Sequence, residues 1–141
     1  MSKAVMLSIR GRQAYMDQEP DVIELVTEGT LEYRDDGWDI RYEESELTGL
    51  AGVTTTFRVE PGKITLSRTG RLQSEMVFQE GVSHNSLYQM EFGALMITVC
   101  ATRIIAMLDE NGGMIDLVYD IEIEQSDAGT VDYHLEITPT V

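Results

Sequence analysis

The stretch VTTTFRVEPGKITLSRTG, residues 53–70, decides the fold. Val53, Thr55, Phe57 and Val59 fall at every second position, and Ile64 and Leu66 do so again beyond Pro61-Gly62. Side chains of a strand point alternately to its two faces, so this pattern describes two half-buried strands joined by a turn. Proline followed by glycine suits the two central positions of a type II turn. Thr69-Gly70 then suggests another reversal of the chain.

The same period runs outward in both directions. Val5, Leu7 and Ile9 share one face of a first strand. Ile23, Leu25, Leu31 and Tyr33 share one face of a second, which must bend or bulge near Gly29. Asp36-Gly37 reads as a tight turn, followed by Trp38, Ile40 and Tyr42 in alternation. Leu72, Met76 and Phe78 continue the pattern after Gly70. Beyond Asn111-Gly112-Gly113 come Ile115, Leu117, Tyr119, Ile121 and Ile123, and a last strand carries Val131, Tyr133, Leu135 and Ile137. Residues 87–108 are ambiguous, because Leu95, Ile97, Val99 and Ala101 alternate with Met96, Thr98, Cys100 and Thr102 and neither face is polar. A buried helix would fit this segment. Its Ile, Thr and Val favour a strand covered on both sides. Longer connections are expected over residues 13–21, with Pro20, and over residues 45–52.

Strands in this number, joined by short turns, pair antiparallel and curl to hide their edges. The expected fold is all-β: one domain over residues 1–141, forming a single antiparallel, closed or nearly closed barrel of about eight to ten strands. A chain of 141 residues is long enough for one core. Its 43% hydrophobic and 25% charged residues are ordinary for a globular protein. The net charge of −15 argues against nucleic acid and anionic membrane surfaces as partners, since both call for neutralising cations. Cys100 is the single cysteine, which excludes a disulfide-held secreted scaffold. The beginning of the chain, MSKAVMLSIRGRQ, lacks the apolar stretch and cleavage site of a signal peptide. The longest run poor in charge, residues 92–108, is too short to span a membrane as a helix and contains Arg103. A cytoplasmic protein is expected.

Four segments carry a resemblance: YEESELTGLAGVTTTFRV (residues 42–59), GKITLSRTG (62–70), YQMEFGALMITVCATRI (88–104) and IDLVYDIEI (115–123). In that order they resemble the YwiB-like bacterial proteins, small β-barrels of unknown function, over most of the chain. The resemblance implies a closed, calycin-like barrel similar in outline to lipocalins. It implies no activity and supplies no catalytic residues.

The residues themselves suggest a site. Tyr42 and Glu44 continue the face of Trp38 and Ile40, and Arg68 continues that of Ile64 and Leu66. Tyr119 lies between Leu117 and Ile121, and Tyr133 between Val131 and Leu135. If these faces point inward, an arginine, a glutamate and several phenols meet inside the barrel. A buried arginine needs a carboxylate partner, and Glu44 is the nearest in frame. Two outcomes are open: a pocket in which Arg68 holds a carboxylate or phosphate, or an ion pair that plugs one end. Small barrels are often filled by their own side chains.

Other features are weaker. Cys100 sits in an apolar strand and reads as a small hydrophobe. His84 falls in GVSHNS, read as a loop, and His134 alternates with Asp132 and Glu136 on a solvated face. Residues 109–113 fail the ligand spacing of a calcium loop and read as a hairpin turn. Gly49 to Gly52 is too short a signal for a phosphate cradle, and the eight methionines read as core filling. Beyond Arg103 there are acids and no base, so Asp116, Asp120, Glu122, Asp132 and Glu136 are expected to repel one another across the last two strands. No motif calls for a metal or a cofactor, and no catalytic constellation is recognised. The expected function is binding of a small amphipathic or anionic molecule within the barrel. The alternative is a protein-interaction or self-association module, with a homodimer as one form.

Overall fold

The alternation becomes ten strands, β1 (Ser2–Ala14), β2 (Asp21–Arg34), β3 (Gly37–Glu43), β4 (Val53–Glu60), β5 (Lys63–Gly70), β6 (Ser74–Phe78), β7 (Ser83–Met90), β8 (Gly93–Asp109), β9 (Gly112–Ile123) and β10 (Ser126–Pro139). They form one sheet in the order β6-β5-β4-β3-β2-β1-β10-β9-β8-β7. Every ladder between neighbouring strands is antiparallel. The computed structural model describes residues 2–14, 21–45, 51–90 and 93–140. The connections expected around Pro20 and over residues 45–52, and Phe92, fall wholly or largely outside these residues. No described helix is long and apolar enough to cross a membrane.

The two edge strands, β6 and β7, meet and nearly close the barrel. Gln73 and Gln89 exchange both backbone hydrogen bonds, at 2.9 and 2.8 Å. Gly81 N donates to Ala101 O, so the turn between β6 and β7 pairs with β8 beyond the last β7 contact. The β6 and β7 strands themselves form no ladder among the described residues, leaving a seam in the wall.

Inside, Leu7, Ile40, Phe57, Ile64, Phe78 and Leu117 are among the fully buried side chains. Burial of such a side chain contributes roughly 1.5–3 kcal/mol each, which is what holds a curled sheet closed. Residue Gly29 of β2 faces inward, and a Cβ there would lie 2.6 Å from Arg41 O and 2.7 Å from Leu7 Cδ1. The β1–β2 register runs unbroken past Gly29, so that ladder has no bulge there, and the glycine serves a close approach instead. The first tight turn is displaced by one residue from the expected Asp36-Gly37. Asp35 and Asp36 take the positive φ angles, 50° and 62°, and Gly37 opens β3 where a Cβ would meet Val59 O at 2.8 Å.

Two further expectations change. GVSHNS is not a loop: Ser83, His84, Asn85 and Ser86 begin β7, and His84 Nε2 lies 2.7 Å from Gln79 Oε1. Polar side chains hide the strand from a hydrophobicity pattern, because this edge lies beside the seam and not under a packed layer. The two-faced apolar run is part of β8, a strand. Its inner residues Ile97, Val99 and Ala101 are buried, but Met96 on the outer face stays exposed. Thr98 Oγ1 on that face donates to Asn85 Oδ1 at 2.7 Å.

The acidic outer face matches the expected self-opposing array at one position, Glu122 opposite Asp127, and differs at the others. Across β9 and β10, Asp116 stands opposite His134, Asp120 opposite Thr130, Asp132 opposite Val118 and Glu136 opposite Met114. Arg103 Nη2 lies 3.5 Å from Asp116 Oδ2, and His134 Nδ1 lies 3.5 Å from Asp116 Oδ1. On the β1 side, Arg10 opposes His134 and Arg12 opposes Asp132. The pairing of first and last strands interleaves bases among the acids.

Candidate functional site

The β3, β5, β9 and β10 strands each deliver inward residues to one polar cluster within the apolar core. Its centre is Glu44, just past the end of β3, whose side chain is 2% exposed. Thr55 Oγ1 donates to Glu44 Oε2 at 2.6 Å. Arg68 Nε lies 3.8 Å from the same oxygen, and the arginine side chain is 17% exposed. Tyr42 and Tyr133 bring their hydroxyls within 3.5 Å. Tyr133 also tilts against Phe57, with ring centroids 5.5 Å apart, and Tyr119 packs on Phe78 at 4.5 Å.

All five residues expected from the sequence, Tyr42, Glu44, Arg68, Tyr119 and Tyr133, therefore lie inside the barrel. Contacts join the first three with Tyr133, while Tyr119 is linked through the field of Arg68. Burial pushes the phenols of Tyr42 and Tyr119 up to about 12, with the Arg68 charge acting weakly in the other direction. Burial likewise holds Tyr133 well above the ordinary phenol range. At neutral pH the phenols are hydrogen-bond donors and poor proton acceptors.

Arg68 carries the cluster to the seam. A pocket of about 600 Å³ opens between β6 and β7, lined by Arg68, Ser74, Ser86, Gln89, Leu87 and Met96 among others. Three buried side-chain atoms have no hydrogen-bond partner among the described residues: Arg68 Nε, Ser74 Oγ and Ser86 Oγ. All three residues line this pocket. Buried polar groups are nearly always hydrogen-bonded, so three orphans at one opening call for a partner from outside the chain.

The two serines were not singled out from the sequence. Ser74 had a signal, since it precedes Met76 and Phe78 in the same inward frame. Ser86 had none, because its strand is masked by polar neighbours. Among the described residues, no group of three or more His, Cys, Asp or Glu side chains is placed to hold a metal ion.

The architecture and this inner cluster define a nearly closed, ten-stranded antiparallel β-barrel protein. The chain belongs to the family described as a domain of unknown function, DUF1934, whose family model matches residues 7–137. It is similar to the uncharacterised β-barrel protein YwiB of Bacillus subtilis (strain 168), at 29% identity over 107 residues, covering 76% of this chain and 74% of that protein. It also matches the crystal structure of the ywiB protein from Bacillus subtilis, with a TM-score of 0.87 and 22% identity, over 99% of this chain and 94% of that one. The resemblance carried by residues 42–70 and 88–123 is thereby shown, and the family has no assigned function.

Proposed function

We propose that the barrel binds a small anionic molecule, a carboxylate or a phosphate, at the seam between β6 and β7. The observation that carries this reading is that Arg68, Ser74 and Ser86, each with a buried side-chain atom that makes no hydrogen bond, line one pocket, Arg68 being held there by its ion pair with Glu44. An arginine fork and two hydroxyls are the donors an oxyanion needs. Leu87 and Met96, exposed and paired across β7 and β8 beside the opening, offer a path for an apolar tail and so admit an amphipathic acid.

In this reading the protein is a binder and not an enzyme. The protonated phenols support that, since they are suited to hold a ligand and not to take a proton from it. The comparison with calycins and lipocalins extends only to a ligand carried by a small barrel. A cytoplasmic location accords with the free thiol of Cys100. The net charge of −15 weighs against nucleic acid or an anionic membrane as partner. A second reading, self-association as a homodimer, is favoured by the exposure of Leu87 and Met96.

Nuclear magnetic resonance of the intact protein, titrated with octanoate and separately with inorganic phosphate, tests the reading. The Arg68 Nε–H signal and the Ser74 and Ser86 backbone amides are expected to shift with saturation. Arg68→Lys keeps the charge but loses the fork, and is expected to weaken binding about tenfold or more, the equivalent of one charge-assisted hydrogen bond. Neither ligand shifting these signals, or equal affinity in Arg68→Lys, overturns the proposal.

A further inference from the structure

The β8 strand is paired on both sides over only part of its length. Residues 93–100 pair with β7, Ala101 and Ile104 meet Gly81 and Glu80, and beyond Ile104 the strand runs on to Asp109 with β9 as its backbone partner among the described residues. The register shifts between Ala101 and Arg103, and Gly81 N and Glu80 mark where pairing on the seam side stops. Glu80 Oε2 accepts Ile104 N at 2.8 Å. That bond shows which way the backbone groups point. Hydrogen-bonding direction alternates along a strand, so Ala106 and Leu108, two and four residues on, also turn their N–H and C=O away from β9. The described residues give these groups no backbone partner.

The same residues have their side chains on the inner side, and there they meet an open groove of about 670 Å³ at the end of the barrel remote from Arg68. Ile104, Ala106 and Leu108 form one wall, and Trp38, Val59 and Ile64 stand among the residues opposite. Met107, on the outer side of the edge, is 66% exposed. An unpaired edge beside an apolar groove is what β-strand addition requires: main-chain bonds to the edge and alternate side chains in the groove.

Charge identifies the occupant. The groove lining contains Asp36, Glu60 and Glu80 and no basic residue. A second copy of a chain carrying −15 would bring like charge to this rim. We propose that residues 106–108 of β8 are a docking edge for an extended segment of another protein, with apolar residues at alternate positions and lysine or arginine at its ends. The segment adds a strand to the barrel, its apolar side chains entering the groove and its terminal bases lying near the acids at the rim. This site is separate from the anion pocket at Arg68.

The probe is a short synthetic peptide of alternating valine and threonine with lysine at both ends, added to the intact protein. Hydrogen exchange at the Ala106 and Leu108 amides is expected to slow about tenfold or more at saturation. Methylating the valine amides of the peptide removes the donors that would meet the edge while keeping its charge, and is expected to abolish that protection. Ala106→Pro takes away an edge-facing N–H that β9 does not use, and is expected to weaken binding about tenfold, with Leu108 protection in the unaltered protein as the check should the variant fold poorly. Equal binding of the methylated peptide would show simple charge attraction and overturn the proposal. A peptide-free dimer in sedimentation that protects the same two amides would give the edge to a second copy and overturn it equally.

Discussion

Arg68 Nε and Glu44 Oε2 lie 3.8 Å apart inside the barrel, with the carboxylate almost wholly buried and the arginine Nε lacking a hydrogen bond. Removing the arginine takes the neighbouring positive charge away from a buried carboxylate, and the neutral Thr55 hydroxyl that donates to it does not replace that charge. Arg68→Ala is expected to cost about 3–5 kcal/mol, and adding Glu44→Gln is expected to recover much of it. Urea unfolding of the two variants measures both. A loss below about 0.5 kcal/mol, the range of an ordinary surface change, contradicts the buried-pair account.

The close approach of β2 to β3 at Gly29 depends on an inward position without a side chain. Gly29→Ala would place a Cβ 2.6 Å from a backbone oxygen, that of Arg41, and is expected to destabilise by roughly 1–3 kcal/mol. Gly11 of β1 is the control, because a Cβ there meets Tyr133 Cδ2 at an ordinary 3.7 Å. Gly11→Ala is expected to be neutral or to stabilise by up to about 1 kcal/mol through the unfolded chain. Thermal unfolding that ranks the two variants the other way argues against close packing at Gly29.

The buried phenols make the fold sensitive to alkali. Tyr42 and Tyr119 are held neutral to about pH 12, whereas unfolded tyrosine ionises near 10. The unfolded state therefore loses its phenolic protons first, and stability falls as pH rises from about 10 towards 12. Below pH 10 this contribution is fully present, at an order of 2–3 kcal/mol for each group. Tyrosinate absorbance is expected to rise in two phases, the later one together with loss of structure. A single phase near pH 10 with the fold intact excludes the buried assignment.

Net charge sets the response to salt. With −15 on the chain, screening is expected to raise the melting temperature between about 10 and 200 mM sodium chloride, as the Debye length falls from roughly 30 Å to below 8 Å. The gain is limited because Arg103, His134, Arg10 and Arg12 already stand among the outer acids. Magnesium at matched ionic strength is expected to act as sodium does. A larger rise with magnesium would reveal a cation site on this face.

Which side of the wall each residue occupies could be read without coordinates. The period of two along residues 38–44, 64–68, 115–121 and 131–137 places Tyr42, Glu44, Arg68, Tyr119 and Tyr133 inward, and a one-residue slip would expose every apolar partner. Glu44 as the partner of Arg68 was legible for the same reason: both follow apolar residues in an inward frame. The turn at Asp35 and Asp36 was missed by one position, since aspartates there accept positive φ and the glycine serves a close approach instead. Strand β7 was missed because its inward residues His84 and Ser86 are polar.

Alternation along one strand says nothing about where distant strands meet. The pairing of β1 with β10 sets Arg10 against His134 and Arg12 against Asp132, and no local pattern contains that register. Closure by isolated bridges and without a β6–β7 ladder among the described residues, which leaves Arg68, Ser74 and Ser86 at an opening, follows from how far the whole sheet must curl to bury its core. The free half of β8 has the same origin: β8 is longer than the β7 strand beside it, so its last residues outrun their neighbour. Side-chain direction is a property of the local backbone and was present in the sequence. The seam and the unpaired edge are properties of a ring of strands of unequal length, and only the assembled barrel decided them.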